Sequence, residues 1–258
     1  MVDIHCHLLP GLDDGPETME ESVEMAEMAM ADGITHIVAT PHANDVYEYD
    51  DERNRALCRE LAGKLDGRLQ LSTGCDFHLS FDNLEAAAVS PKRFTINQTN
   101  YLLIEFADFA LPPFLDETLA RLQEAGLKLI ITHPERNPLL RTKQERLRGW
   151  IESGCYVQVT AHALVGRFGS AAERSALGLL DRNWVHFVSS DAHNILGRPP
   201  RLRRTFEFVS ARRGPEVAQA LFHDNPLAVW NGEPLPWAPE PGPTPAPSAL
   251  RRFFSSES

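Results

Sequence analysis

The feature that most constrains the fold of this chain is a regular alternation of short apolar runs with longer helical segments. Seven runs, several rich in β-branched residues, fall near positions 2–6, 35–41, 69–74, 101–106, 127–132, 155–160 and 185–190. Between the first two, apolar residues recur every three or four positions, at Met19, Val23, Ala26 and Met30, ahead of Gly33. That spacing predicts a helix over 16–32. Strand–helix alternation repeated in this way predicts a parallel α/β sheet.

The length of the chain favours a closed sheet over an open one. With 258 residues, the chain suffices for one large domain. Further helices are predicted over 115–125 and 147–151, ahead of Gly126 and Gly154. We therefore expect a distorted parallel β/α barrel of about seven strands, with an open, doubly wound sheet as the alternative.

The composition changes near Glu233, where a second segment is predicted to begin. Seven prolines lie between Pro234 and Pro247, and a Ser-rich end follows Phe253 and Phe254. Such a composition sustains neither a helix nor a strand ladder. The expected organisation is a catalytic domain over 1–232 and a flexible, disordered tail over 233–258, whose two phenylalanines could instead dock a partner.

Residues that ligate transition metals fall at the ends of the apolar runs. The first run contains His5 and leads to His7, and strand alternation sends both imidazoles to one face. The later runs end in His42, Asp76, Glu105, His133, and Asp191 with His193. Because the carboxyl ends of parallel barrel strands meet at one face, these side chains should converge there. The pattern predicts a multinuclear metal site.

The predicted ligands combine imidazole with carboxylate and require no thiolate, which suits Mn, Fe or Zn. Two or three ions would be held by nine residues, namely His5, His7, Asp14, His42, Asp76, Glu105, His133, Asp191 and His193. Four other histidines are expected to be structural, namely His36, His162, His186 and His223. His78 fits either role.

Two arginines follow predicted ligands closely and are the candidate catalytic residues. Arg136 comes three positions after His133, and Arg198 comes five after His193. A guanidinium beside a metal cluster can bind two phosphate oxygens at once. Arg198 also opens a basic stretch that continues to Arg213, predicted either as a solvated helix face or as an attraction for an acidic substrate.

Net charge and cysteine use exclude several classes of function. A net charge of −11 disfavours binding to a phosphate backbone, so a nucleic-acid partner is not expected. The four cysteines form no CxxC pair and are expected to be free thiols in a reducing compartment. None has an arginine six positions later, which excludes a cysteine-nucleophile tyrosine phosphatase. Acidic residues and prolines interrupt the most apolar stretch, 101–115, so we expect a cytoplasmic protein without membrane insertion.

Several segments resemble the PHP superfamily, and within it the manganese-dependent protein-tyrosine phosphatases of bacterial capsule and exopolysaccharide loci. The likeness rests on DIHCHLLPGLDDGP, ATPH, LLIEF, ITHPERN, GCYVQVT and SSDAHNILGRPP, and FHDNP extends it over nearly the whole domain. The resemblance implies a distorted β/α barrel with a trinuclear metal centre. It also implies phosphotyrosine as substrate, typically on the tail of a bacterial tyrosine kinase that controls polysaccharide export.

One position departs from the family pattern. A glutamate usually follows the third strand in a Gly-x-Glu pattern, whereas this chain has Gly74-Cys75-Asp76. Aspartate keeps the charge but is one methylene shorter, which puts the third metal ion in question. The predicted function is a metal-dependent phosphomonoesterase acting on phosphotyrosine. The alternatives are a small-molecule phosphatase of the histidinol-phosphate type and a catalytically inactive metal-binding module that docks the kinase.

Overall fold

All seven predicted runs contain strands. The computed structural model describes residues 1–111 and 114–244. Its strands are β1 Val2–Cys6, β2 His36–Ala39, β3 His42–Ala43, β4 Gln70–Thr73, β5 Asp76–His78, β6 Tyr101–Glu105, β7 Lys128–Thr132, β8 Tyr156–Thr160 and β9 Phe187–Ser189. The second and third runs contain β2 and β4, and each is followed by a further short strand, β3 or β5, outside the predicted bounds.

Helices connect the strands and cover the outside of the sheet. They are α1 Met19–Ala31, α2 Asp51–Lys64, α3 Phe81–Val89, α4 Leu115–Glu124, α5 Pro138–Thr142, α6 Gln144–Glu152, α7 Ala161–Leu164, α8 Gly169–Asp181, α9 Arg203–Arg213, α10 Pro215–Gln219 and α11 Asn225–Asn231. The predicted helix over 16–32 begins only at Met19, because Thr18 caps it and Glu21 completes a capping box.

The strands follow one another in chain order around a closed sheet. Every pairing is parallel, in the orders β1-β2-β4 and β3-β5-β6-β7-β8-β9. Since β2 leads into β3 and β4 into β5, these segments form seven strand positions. Closure occurs between β1 and the chain after β9, where Asp191 N donates to His5 O and His7 N donates to Ala192 O, both at 2.8 Å. The expectation of a distorted β/α barrel is confirmed, and the open sheet is excluded.

Two apolar layers stabilise this barrel. One small cluster combines Val2 and Ile4 of β1 with Tyr101 and Leu103 of β6. Leu102, the residue between the last two, belongs instead to the large cluster that the helices cover. Side chains therefore alternate between the inside of the barrel and the layer under the helices. The four cysteines are buried and free, as expected.

The described part of the Pro-rich segment, residues 233–244, is hydrogen-bonded to the domain. Tyr101 Oη donates to Glu233 O at 2.6 Å, and Asn225 exchanges two hydrogen bonds with the backbone of Trp237. Further along, Trp184 Nε1 donates to Gly242 O at 2.9 Å. Residues up to 242 are thus held by side chains of the domain. The predicted disorder of 245–258, with Phe253 and Phe254, concerns residues outside those described.

No helix in the described ranges is long and apolar enough to cross a membrane.

Candidate metal centre

The nine predicted ligands lie together at the carboxyl-terminal end of the barrel. Their donor atoms form four overlapping groups, and within each group the atoms lie within 4.8 Å of one another. The groups are His7, Asp14, His42 and His193; His5, His7 and Asp76; His5, His133 and Asp191; and His42, Asp76 and Glu105. Each predicted ligand belongs to at least one group. Six of the seven strand positions contribute, and β8 alone does not.

The spacing of the donor atoms fits bound cations. His5 Nε2 lies 3.4 Å from Asp76 Oδ2 and 3.5 Å from Asp191 Oδ1. His42 Nδ1 likewise lies 3.4 Å from Asp76 Oδ2. Two tetrahedral ligands with bonds of about 2.1 Å stand about 3.4 Å apart. These pairs are therefore separated by about the distance that a shared ion imposes.

Several donor atoms in the centre are buried without a hydrogen-bond partner in the part of the chain described. They are His5 Nε2, His7 Nε2, His42 Nδ1 and both carboxylate oxygens of Asp76. A buried polar atom left unpaired costs about 1–3 kcal/mol, and charged groups cost more. Because lone pairs face one another here at close range, a cation is the partner that satisfies all of them. The donor set fits metal ions.

Hydrogen bonds on the far side of two imidazoles fix their tautomers. His7 Nδ1 donates to Asp13 Oδ2 at 2.6 Å, and His5 Nδ1 donates to Gln158 Oε1 at 3.0 Å. In each ring the proton is then on Nδ1, and the lone pair of Nε2 faces the cluster. Sequence reasoning missed both partners. Gln158 lies within β8, the one strand position that provides no predicted ligand.

The turn that carries Asp13 and Asp14 requires glycine at position 15. A Cβ atom there would lie 2.8 Å from His7 O and 3.0 Å from Asp13 Oδ1. Gly15 N also donates to Asp13 Oδ1 at 3.0 Å, and His42 N donates to Asp13 Oδ2 at the same distance. Asp13 thus accepts three hydrogen bonds, which hold the turn and orient His7.

Charge in the centre is dominated by carboxylates. Burial disfavours the charged imidazole of His5, but the Asp76 and Asp191 carboxylates outweigh it and raise the His5 pKa to about 9. Three carboxylates raise the pKa of His42 in the same way, against the effect of burial. Burial disfavours the charged form of Asp191 too, yet the guanidinium of Arg136 and the His5 ring hold its pKa well below the usual range. The cluster thus attracts positive charge, which bound metal ions would supply in place of protons.

Two ligands have unusual backbone conformations. His133 and Asp191 have φ values of +32° and +50°, in the left-handed region that non-glycine residues rarely adopt. Each follows a strand, β7 or β9, at the point where the chain turns over the barrel mouth. Strain of about 1–3 kcal/mol at such positions persists only where the surrounding structure imposes it, and it is concentrated at functional sites.

Both predicted arginines reach the centre and meet at one carboxylate oxygen. Arg198 Nη2 lies 2.6 Å from Asp191 Oδ2, and Arg136 Nη1 donates to the same oxygen. Their side chains remain 25% and 24% exposed, so they are accessible from the mouth of the barrel. Asp191 Oδ1, the other oxygen, faces His5 and His7. Asp191 therefore joins the metal cluster to the arginine pair.

The remaining basic stretch does not reach the centre as a unit. Arg212 at the end of α9 pairs with Asp181 of α8 at 2.6 Å. Arg213 donates to Leu180 O and to Asn183 Oδ1. These two residues hold helices together on the side of the barrel. The hypothesis that the basic stretch attracts an acidic substrate therefore does not apply to them.

Three further histidines lie beside the cluster or in the core. His78 Nε2 lies 3.0 Å from Glu105 Oε2 beside the cluster, but His78 belongs to none of the four groups. His186 is buried, and its Nδ1 accepts a hydrogen bond from Val157 N at 3.1 Å. His162 is buried in α7, directly after β8.

A cavity of about 360 Å³ opens from the metal centre to solvent. One side is formed by Glu105, His133 and Arg136, and the other by the loop 106–109. The side chain of Phe109 is 88% exposed at its rim. The cavity provides access to Arg136 and to the aromatic side chain of Phe109.

Comparison with known proteins places these features in a family. A family model described as capsular polysaccharide synthesis, CpsB/CapC, matches residues 1–231. The tyrosine-protein phosphatase YwqE of Bacillus subtilis is 32% identical over 249 residues, 93% of this chain and 96% of that protein. The tyrosine-protein phosphatase CpsB of Streptococcus pneumoniae is 30% identical over 239 residues, 89% of this chain and 98% of that protein.

A solved structure agrees with the sequence comparisons. It comes from crystallographic work on YwqE and CpsB, described there as unique metal-dependent tyrosine phosphatases. The solved structure superposes on the present one with a TM-score of 0.88, and the two sequences are 32% identical. The match covers 95% of the present chain and 100% of the chain in the solved structure. The resemblance expected from the sequence motifs is confirmed, and the chain belongs to the CpsB/CapC family of capsular polysaccharide synthesis.

Proposed function

We propose that the chain is a metal-dependent phosphomonoesterase that removes phosphate from phosphotyrosine. The observation that carries this proposal is that the two oxygens of Asp191 have different partners. Oδ1 faces the imidazole cluster, whereas Oδ2 accepts from Arg136 and Arg198. A metal cluster and two guanidinium groups side by side match a phosphoryl group that carries several charged oxygens. The family membership and the tyrosine-phosphatase activity named for the relatives support the same function.

The nine clustered residues would hold two or three ions, with Mn²⁺ the expected metal and Fe or Zn as alternatives. Ions of this kind lower the pKa of a bound water from 15.7 toward about 7 and help to neutralise a phosphoryl group. The protein contributes the rest. Asp13 orients the ring of His7, and Gln158 orients the ring of His5. Asp76 belongs to two of the four groups of donor atoms.

Arg136 and Arg198 would bind the phosphoryl oxygens and stabilise the charge that these oxygens carry in the transition state. A phenolate leaving group has a pKa of about 10 and needs less protonation than an alkoxide. An aryl ester therefore depends less on a general acid than an alkyl ester does. The cavity beside Arg136 supports this choice, since Phe109 at its rim offers an aromatic contact.

The proposed physiological substrate is the phosphotyrosine-bearing tail of a bacterial tyrosine kinase that regulates polysaccharide synthesis or export, dephosphorylated in the cytoplasm. Phosphotyrosine places its phosphorus about 6–7 Å from Cβ, so an unfolded tail can present it to a centre at the barrel mouth. Phosphoserine places the phosphorus only two bonds from Cβ, which requires a closer approach of the peptide backbone.

The test is a comparison of kcat/KM for the Mn²⁺-loaded protein on three substrates. They are a phosphotyrosine peptide, the same peptide with phosphoserine, and histidinol phosphate. We expect the phosphotyrosine peptide to be preferred over both others. Histidinol phosphate turning over about a hundredfold more efficiently would instead favour the small-molecule phosphatase. Tight metal binding with no turnover of any of the three would favour an inactive docking module.

A further inference from the structure

The two arginines at the centre share a second neighbour besides Asp191, the aromatic ring of Phe168. Arg136 Cζ lies 4.6 Å from the ring centroid, and Arg198 Cζ lies 6.0 Å from it. A guanidinium within about 6 Å of an aromatic centroid is attracted by the negative face of the ring. A single half-buried side chain therefore lies within reach of both cations.

The backbone around Phe168 is built to hold this ring in place. The residue lies between Gly166 and Gly169, which have φ values of +78° and +81°. Gly169 N donates to Gly166 O at 3.2 Å, and Arg167 N donates to His162 O at 3.0 Å, which closes the turn between α7 and α8. Phe168 also packs against the main apolar cluster. The ring therefore contacts the apolar core as well as the two arginines.

The ring supplies an attraction that does not depend on the charge of Asp191. When the Asp191 carboxylate ligates a cation, its negative charge is shared, and the same cation repels the guanidinium groups. The pull of Asp191 on Arg136 and Arg198 then weakens. Phe168 is uncharged, so its attraction for the two cations persists. Arg198 Nε is also buried with no hydrogen-bond partner in the described ranges, so that N–H is free to meet an anion.

We propose that Phe168 is a positioning residue that keeps Arg136 and Arg198 side by side for the phosphoryl oxygens of the substrate. This inference rests on the proposed phosphomonoesterase function. Phe168 has no polar group and belongs to none of the metal groups. Its effect should therefore appear in phosphate affinity and in kcat/KM, while metal content stays the same.

The first test compares three variants of the Mn²⁺-loaded protein. Phe168→Leu keeps an apolar side chain but removes the aromatic face, whereas Phe168→Tyr keeps the face. Phe206→Leu is the matched control, because Phe206 is partly buried and packs edge-to-face on Phe222, with ring centroids 5.6 Å apart. We expect Phe168→Leu to lower kcat/KM about three- to tenfold and Phe168→Tyr to retain most of it. Equal losses in Phe168→Leu and Phe206→Leu would overturn the proposal.

The second test measures binding of inorganic phosphate to the Mn²⁺-loaded protein by calorimetry, with metal content determined on the same samples. Phe168→Leu should weaken phosphate binding about three- to tenfold, and its effect should shrink in an Arg136→Ala background, because the two residues act together. Equal effects with and without Arg136 would refute the positioning role.

These measurements also separate the inference from the proposed function. If phosphotyrosine peptides are not turned over but Phe168→Leu still weakens phosphate binding, the substrate assignment fails and the positioning role stands. If the peptides are turned over and Phe168→Leu behaves like wild type, the positioning role alone fails. A protein that binds no phosphate at all would refute both.

Discussion

Arg198 Nη2 lies 2.6 Å from Asp191 Oδ2, at the point where the cluster of candidate metal ligands meets the two arginines. The other oxygen of this carboxylate faces the imidazoles of His5 and His7 at 3.5 and 3.6 Å. The same aspartate can therefore ligate a cation with one oxygen and hold a guanidinium with the other. Changes on either side of Asp191 should therefore affect the other side.

Removal of metal should abolish phosphatase activity. A strong chelator should reduce turnover of a phosphotyrosine peptide to background, and added Mn²⁺ should restore it, because the clustered donors bind the ions that activate water. Iodoacetamide should have almost no effect, since all four cysteines are buried and burial raises the pKa of the Cys6 and Cys75 thiols. Complete inactivation by iodoacetamide at unchanged metal content would contradict the mechanism.

Asp76→Asn should lower both metal content and rate. Asp76 is fully buried, its two oxygens have no hydrogen-bond partner among the described residues, and it belongs to two of the four donor groups. Asparagine keeps the volume but removes the charge that two cations would share. We expect at least one metal equivalent to be lost in elemental analysis and kcat to fall about a hundredfold or more. A variant with normal metal content and turnover would remove Asp76 from the ligand set.

Arg136→Ala and Arg198→Ala should each reduce kcat/KM about tenfold or more, because a hydrogen bond to a charged group contributes about 1.5–3 kcal/mol. Lysine at either position should recover only part of the loss, since it cannot bind two oxygens in one plane. Arg212→Ala is the matched control, as Arg212 pairs with Asp181 on the side of the barrel. A loss of similar size in Arg212→Ala would point to general electrostatics instead of direct phosphate contacts.

Asp13→Ala should weaken metal binding although Asp13 belongs to none of the donor groups. Its carboxylate accepts the Nδ1 proton of His7 at 2.6 Å and fixes which nitrogen faces the cluster. Loss of such a partner typically costs 10–100-fold in metal affinity or activity. The dissociation constant for Mn²⁺, measured by competition with a chelator, gives the effect. Asp181→Ala, which removes an exposed carboxylate, should leave this constant unchanged.

His186 should make the protein less stable as the pH falls. Burial lowers the His186 pKa to about 4, whereas an unfolded histidine titrates near 6.5. The unfolded state therefore takes up a proton first, and stability is lost as the pH falls from about 6.5 toward about 4. This group contributes up to about 3 kcal/mol of that loss. His186→Gln can still accept a hydrogen bond from Val157 N, so its free energy of unfolding should depend less on pH across this window. The free energy of unfolding is measured by denaturant titration at several pH values. The same pH dependence in wild type and His186→Gln would contradict the role given to His186.

The sequence by itself determined the succession of strands and helices and the set of residues gathered at the barrel mouth. Seven apolar runs predict seven parallel strand positions, and the ends of parallel strands meet for topological reasons alone. A ligand-type residue placed just after a strand therefore reaches the centre whatever the details of packing. This is why eight of the nine predicted ligands, from His5 to His193, could be placed together from their positions at strand ends, whereas Asp14 lies in the loop between β1 and α1.

Only the tertiary structure decided which groups support these residues and which basic residues face the site. Gln158 is 153 positions from His5, and no local pattern links a glutamine within a strand to that imidazole. The ring of Phe168 and the shared oxygen of Asp191 depend in the same way on how distant loops pack. Arg198 and Arg212 belong to the same basic stretch of the sequence, but Arg212 pairs with Asp181 of α8, whereas Arg198, in the loop after β9, reaches Asp191. Strand order follows from local periodicity, whereas side-chain partners depend on contacts that form only when the barrel closes.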